Sequence, residues 1–279
     1  MSTSLSPDAS PTEPRNTTND ATRDEAARHR PLAGRVAVVS GASSGIGAAT
    51  AEHLAELGAR VALLARRVER LDALAARVDA AGGTALPLAV DVTDEAAVQA
   101  AAKRVAAELG DADLVLNNAG VMLPSPVEAV ATDVWRRQLD LNAGGVLNVV
   151  GAFVPQLLRS VDERGVADLV NVSSVAAFGV FARFAVYSGT KAFVSHMSRN
   201  LRAELGPRGV RVTALEPGIV GTELQDHVTD ENALEWLAST RSQHEWLVPE
   251  DIATTVGFLA SLPPRVNLQQ LTVLPTGQV

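Results

Sequence analysis

Tyr187 is the only tyrosine of the 279-residue chain, and Lys191, four positions on, is one of its two lysines. Both lie in AVYSGTKAFVSHM, which reads as helix, and a spacing of four places the two side chains on one face. An ammonium held near a phenol favours the phenolate, so the pair predicts a Tyr187 pKa below the free value of about 10. Such a phenol trades protons readily near neutrality, which is what a carbonyl oxygen needs as it becomes an alcohol. An ordinary amphipathic helix could carry the same pair, so the surrounding elements must decide.

Far upstream, RVAVVSGASSGIGAATAEHLAELGARVALLARR presents strand, turn and helix in that order. Residues 35–40 are β-branched, and 40–47 form a glycine-rich turn opening an amphipathic helix that ends near Gly58. Gly41, Gly45 and Gly47 let the backbone turn tightly and approach a pyrophosphate. Ser43, Ser44 and Ile46 complete the turn, where free N–H groups and the helix dipole supply an anion site. The spacing is Gly-x-x-x-Gly-x-Gly rather than the Gly-x-Gly-x-x-Gly of the general dinucleotide fingerprint.

Strands and helices alternate along the rest of the chain. Strands are predicted at 35–40, 60–65, 84–90, 113–117, 168–173, 210–215 and 270–274, and helices at 45–58, 67–81, 94–109, 133–160, 186–206 and 249–261. Such β-α-β repetition with right-handed crossovers gives an α/β fold, a Rossmann-type doubly wound parallel sheet of about seven strands. Ligands of such sheets bind beyond the carboxyl ends of the strands. Ser40, Asn117, Ser174 and Pro217 all fall at or just past such ends.

Together these segments resemble the short-chain dehydrogenase/reductase family. The matching parts are SGASSGIG at 40–47, Asp91-Val92 after the third strand, Asn117-Asn118-Ala119-Gly120 after the fourth and Asn142 in LDLNAGG. Ser174, thirteen residues before Tyr187, the YSGTK segment and Pro217-Gly218 complete the set. Within the family the chain looks most like the branch of clavulanic acid dehydrogenase and the serine or 3-hydroxy acid dehydrogenases, with EPG…TEL and PT-x-QV stretches.

The resemblance implies that Tyr187 protonates the substrate oxygen and that Ser174 hydrogen-bonds the same oxygen. Lys191 would bind the nicotinamide ribose and acidify Tyr187, and Asn142 would hold a water leading from Lys191 to solvent. Ser173 beside Ser174 is a decoy on this reading. Asp91 and Val92 would contact the adenine, Asn118, Ala119 and Gly120 would turn over the cofactor, and Pro217, Gly218, Val220 and Thr222 would line its nicotinamide end. At the end of the second strand Ala65 is followed by Arg66 and Arg67, where an acid would accept bonds from the ribose of NAD(H). Two guanidinium groups suit a 2′-phosphate, so NADP(H) is the expected cofactor, although these arginines could instead form a solvated helix start or pair with Glu69. The expected activity is reduction of a small ketone or aldehyde, or the reverse. The alternatives are a silent dinucleotide-sensing protein and a hydroxy acid dehydrogenase working oxidatively.

The expected substrate walls are 121–124, 175–184 and a cover at 219–247, supplying Met122, Phe178, Phe181 and Phe184 with Trp236 and Trp246. Arg183 could meet a carboxylate or simply face solvent. A net charge of −8 without any basic run argues against nucleic acid, and the absence of cysteine removes disulfides and thiolate sites. The five histidines, 29, 53, 196, 227 and 244, have no metal-ligand spacing, so no metal is expected. Residues 1–30 are polar and should form a disordered extension that is neither a signal nor a transit sequence, leaving 31–279 as one domain. No uncharged run of 18 apolar residues occurs, so a cytoplasmic protein without a membrane span is expected. Family kinship implies a homotetramer or homodimer built through the helices at 133–160 and 186–206.

Overall fold

The computed structural model describes residues 30–278; the expected N-terminal extension lies almost wholly outside them. Seven parallel strands form one sheet: β1 (Val36–Ser40), β2 (Arg60–Ala65), β3 (Thr84–Ala89), β4 (Leu114–Asn117), β5 (Ala167–Val172), β6 (Val210–Pro217) and β7 (Gln270–Val273). Their order is β3-β2-β1-β4-β5-β6-β7, so the winding reverses between β1 and β4. Register is tight across that reversal, with Val38 opposite Ala62 on one side and Val115 on the other.

Both faces of the sheet are covered, which is why the central strands read as continuous apolar runs rather than as alternation. Ala37, Val39, Val61 and Leu63 face one layer with α1 (Gly45–Glu56), α2 (Val68–Ala80) and α8 (Pro249–Ser261). Val36, Val38, Ala62 and Leu64 face the other, with α3 (Glu95–Glu108), α5 (Val146–Arg164) and the end of α6 (Ala185–Leu205). Alternate residues of each strand therefore feed two separate cores.

Two elements differ from the sequence expectation. The helix expected at 133–160 is interrupted: α4 (Thr132–Leu139) passes through a π-helical turn, Asp140–Gly145, before α5. Gly145 explains the tight approach there, because a Cβ at that position would stand 2.8 Å from Val92 Cγ2. The continuous run Thr132–Arg164 is apolar enough by composition to cross a bilayer, yet Val149, Phe153 and Leu157 spend that apolarity on the sheet. The second difference is α7 (Glu231–Gln243), inside the segment expected only as a cover. It is started by Asp230, whose side chain accepts a bond from Ala233 N at 2.9 Å, and it buries Ala233 and Leu237.

At the amino-terminal edge of the sheet lies a buried ionic node. Arg35 donates to Asp113 at 2.7 Å and to Asp168 at 2.8 Å, and Arg211 reaches both oxygens of Asp168 at 2.7 and 2.8 Å. The remaining guanidinium donors bind the carbonyls of Ala260 and Leu262, fastening the end of α8 beneath the strands. Burial pushes the Asp113 carboxyl up despite these cations, which shows how much desolvation the node absorbs.

Candidate active site

A cavity of about 380 Å³ opens at the carboxyl ends of the strands, at the reversal between β1 and β4. Every residue expected to act in catalysis or to bind the cofactor lines it except Gly47 and Asn142. Both stand directly behind the wall. Gly47 is required by packing, since a Cβ there would lie 2.2 Å from Gly41 O. Ser40, at the end of β1, accepts bonds from Asn118 N at 3.0 Å and Ala119 N at 3.2 Å, which ties the glycine turn to the strand-end turn of β4.

The turn suits a dinucleotide. Gly45 has φ of +52°, a conformation that side chains disfavour. Ser44 precedes α1 without capping it; its hydroxyl accepts a bond from Arg67 at 2.8 Å instead, so the helix start keeps its N–H groups for an anion. At the far rim, Asp91 accepts from Thr93 N and Oγ1 at 3.0 and 2.8 Å. These bonds, the backbone one foremost, hold its carboxyl below the usual range. Asn148 on α5 fixes Val92 through its carbonyl at 2.9 Å.

Tyr187, Lys191 and Ser174 converge on the other end of the cavity. Lys191 Nζ lies 5.8 Å from the centre of the Tyr187 ring and donates to Val172 O at 2.9 Å. Both residues are only 6% exposed. That burial reverses the expected acidity: it pushes the phenol up to about 12, a rise opposed by a hydrogen bond with Ser174, and brings the lysine down to about 8. Each charged form loses its hydration in an apolar setting, and for the phenol this cost exceeds what the Ser174 hydrogen bond returns. Ser174 begins a short 3-10 turn and accepts from Ala176 N at 3.1 Å.

Ser173 is structural, donating to Lys191 O at 2.8 Å. Beside it Ser195 lies 2.8 Å from Ser173 Oγ and 2.7 Å from the buried Glu216. Asn142 braces the site from behind, exchanging bonds with Val121 N and O at 2.8 Å each and donating to Thr190 Oγ1 at 3.2 Å. Thr190 in turn donates to Tyr187 O at 2.7 Å, so the π turn and the Tyr187 helix are locked together. Thr190, Ser195 and Glu216 escaped the sequence reading because nothing about their spacing signals a role.

The end of the cavity beside Tyr187 is aromatic. Phe184 packs edge-on to Tyr187 and Trp236, at 6.4 and 5.7 Å between ring centres, and Phe181 meets Trp236 at 5.8 Å. Met122 and Leu237 complete the wall. Phe178 and Trp246 stay outside it: Phe178 is 62% exposed and Trp246 packs behind. The segment expected as a cover is tied end to end, with Leu247 N bound to Ile219 O and Gly221 N to Leu247 O at 3.1 and 2.8 Å. Arg183 neither lines the cavity nor faces solvent freely; it pairs with Asp230 at 2.6 Å and anchors the start of α7.

Residues 35–233 match the family model described as short chain dehydrogenase, and the chain belongs to that family of nicotinamide-dinucleotide oxidoreductases. It is 38% identical over 245 residues to glycine betaine reductase ATRR of Emericella nidulans, covering 88% of the chain but only 19% of that protein. A closed form of serine dehydrogenase complexed with NADP+ superposes with a TM-score of 0.78 at 31% identity, covering 88% of this chain and 96% of the other. The 3-ketoacyl-(acyl-carrier-protein) reductase of Brucella melitensis, complexed with NADH, gives 0.79 at 28% identity, covering 89% and 100%.

Proposed function

We propose that the protein is an NADP(H)-dependent oxidoreductase that reduces a small, uncharged ketone or aldehyde to the alcohol. The observation that carries this reading is the meeting, in one cavity, of a buried protonated phenol with an arginine-rimmed glycine turn. Bound NADPH supplies a hydride for the carbonyl carbon. The chain supplies the proton and the geometry. Tyr187, kept protonated by burial, donates to the carbonyl oxygen, and the Ser174 hydroxyl donates a second hydrogen bond to it as charge develops.

Lys191, with its pKa drawn down to about 8, is poised to return a proton to Tyr187 near neutrality. Gly120 lets both groups approach the backbone closely: a Cβ there would stand 3.2 Å from Asn142 Oδ1 and 3.7 Å from Lys191 Nζ. Among the described residues that line the aromatic end there is no arginine, since Arg183 is held by Asp230 away from the cavity, and Lys191 is bound to Val172 O; this favours an uncharged substrate. Kinship to serine dehydrogenase supports the oxidative hydroxy acid reaction as a second reading. Arg66 beside the cleft, with its side chain 69% exposed, supports NADP(H) over NAD(H). Exposed Leu147 on α5 and Phe193 on α6 support assembly as a homodimer or homotetramer.

The test is NADPH consumption over a panel of small ketones, aldehydes and hydroxy acids, run beside Tyr187→Phe. Turnover should fall by about 10²- to 10⁴-fold in the variant while NADPH still binds. Turnover retained in Tyr187→Phe refutes the mechanism.

A further inference from the structure

The two arginines after β2 are not equivalent. Arg66 has one long contact, 3.9 Å to Asp91. Arg67 is fully engaged: Nε and Nη2 donate to Ser43 Oγ at 3.1 and 2.9 Å, Nη2 also to Ser44 Oγ at 2.8 Å, and Nη1 to Glu223 Oε2 at 2.8 Å. Arg70, on the first turn of α2, binds the other oxygen of the same carboxylate. Glu223 follows Thr222, which lies against the glycine turn where a Cβ on Gly45 would be 3.1 Å away. Its carboxyl is pulled down to about 2 by the hydrogen bonds from Arg70 and then Arg67, so it stays anionic at any working pH.

Two forked guanidinium groups with two serine hydroxyls beside them form the donor set that a phosphate monoester requires. Here a carboxylate of the chain's own cover segment takes those donors. We propose that Glu223 is an internal anion holding the place of the cofactor 2′-phosphate on Arg67, so that NADP(H) must displace it to bind. The inference rests on the NADP(H) reading above. A phosphate carries nearly two charges and three acceptor oxygens against one charge and two for the carboxylate, so it wins the exchange at a reduced net gain. NAD(H) has only a ribose hydroxyl at that position and leaves Glu223 where it is. Glu223 thus narrows the margin between the two cofactors without removing it.

The test is fluorescence titration of NADPH and NADH into the full-length wild type, Glu223→Gln and Glu223→Asp, with folding checked by thermal melting. Glu223→Gln should bind NADPH about five- to tenfold tighter and shift NADH by less than about twofold. Glu223→Asp, one methylene too short to reach both arginines, should fall between. NADPH binding that is unchanged or weaker in Glu223→Gln, or a gain shared equally by NADH, overturns the proposal. A wild type that prefers NADH refutes the cofactor assignment by itself, and because the Glu223 effect is read as a variant-to-wild-type ratio the two failures are separable.

Discussion

The ionisation of Tyr187 can be watched directly, because it is the only tyrosine in the chain and there is no cysteine to overlap it. Burial raises its pKa from 10.0 to about 12 against the pull of the Ser174 hydrogen bond, which at about 1.36 kcal/mol per pH unit is a net cost of about 2.7 kcal/mol for the phenolate. A stopped-flow jump from neutral to alkaline pH, followed by tyrosinate absorbance, should show a fast phase with a midpoint near 12. Unfolded chain ionises near 10 and appears as a separate, slower phase. Ser174→Ala removes the hydrogen bond that opposes the rise, so its midpoint should move higher still. Lys191→Met should change the midpoint by less than about half a unit, because an amine with a pKa near 8 is neutral by the time the phenol ionises. A wild-type midpoint below 10 that climbs in Lys191→Met would refute the reasoning and restore the charge-coupled pair suggested by the spacing alone. The same shift carries a stability signature. Between pH 10 and 12 the unfolded chain binds fewer protons than the folded one, so stability falls across that window. Between about 8 and 10.5 Lys191 acts oppositely and stability rises.

Two further perturbations probe the two ends of the sheet. Arg66→Ala should raise the Kd for NADPH by about tenfold or more and leave NADH within about twofold, measured by equilibrium titration; equal losses would remove Arg66 from the phosphate site. Asp168→Asn leaves Arg35 and Arg211 buried with one carboxylate fewer, which should cost about 3 to 5 kcal/mol and lower Tm by about 6 to 20 °C. A loss under about 1 kcal/mol in denaturant melts would show that the node is solvated rather than buried.

Most of the sheet was legible because each strand is buried on both faces and so stands out as an uninterrupted apolar run between glycines and helix starts. The glycine turn, Ser174, Tyr187 and Lys191 were legible because their chemistry depends on local spacing, which a sequence displays. Four things were hidden. The break at Asp140–Gly145 arises from Gly145 meeting Val92 and Asn142 gripping Val121, contacts made across the chain. Helix α7 was obscured because its polar residues suited a loop, although Asp230 three residues before Ala233 was a readable cap. The direction of the Tyr187 shift depended on burial, which spacing does not disclose; four residues place a lysine beside a phenol but do not say whether water reaches either. The partner of Arg67 was hidden in the same way, because Glu223 lies far along the chain.

The ionic node beneath the strands joins the starts of β1, β4, β5 and β6 to the tail of α8, while all the chemistry gathers at the opposite rim. Resilience and reactivity therefore occupy separate poles of one molecule. An engineer could exchange Arg35, Asp113, Asp168 and Arg211 together for a matched oily set and retune heat tolerance, leaving the chamber around Tyr187 with the contacts it already has.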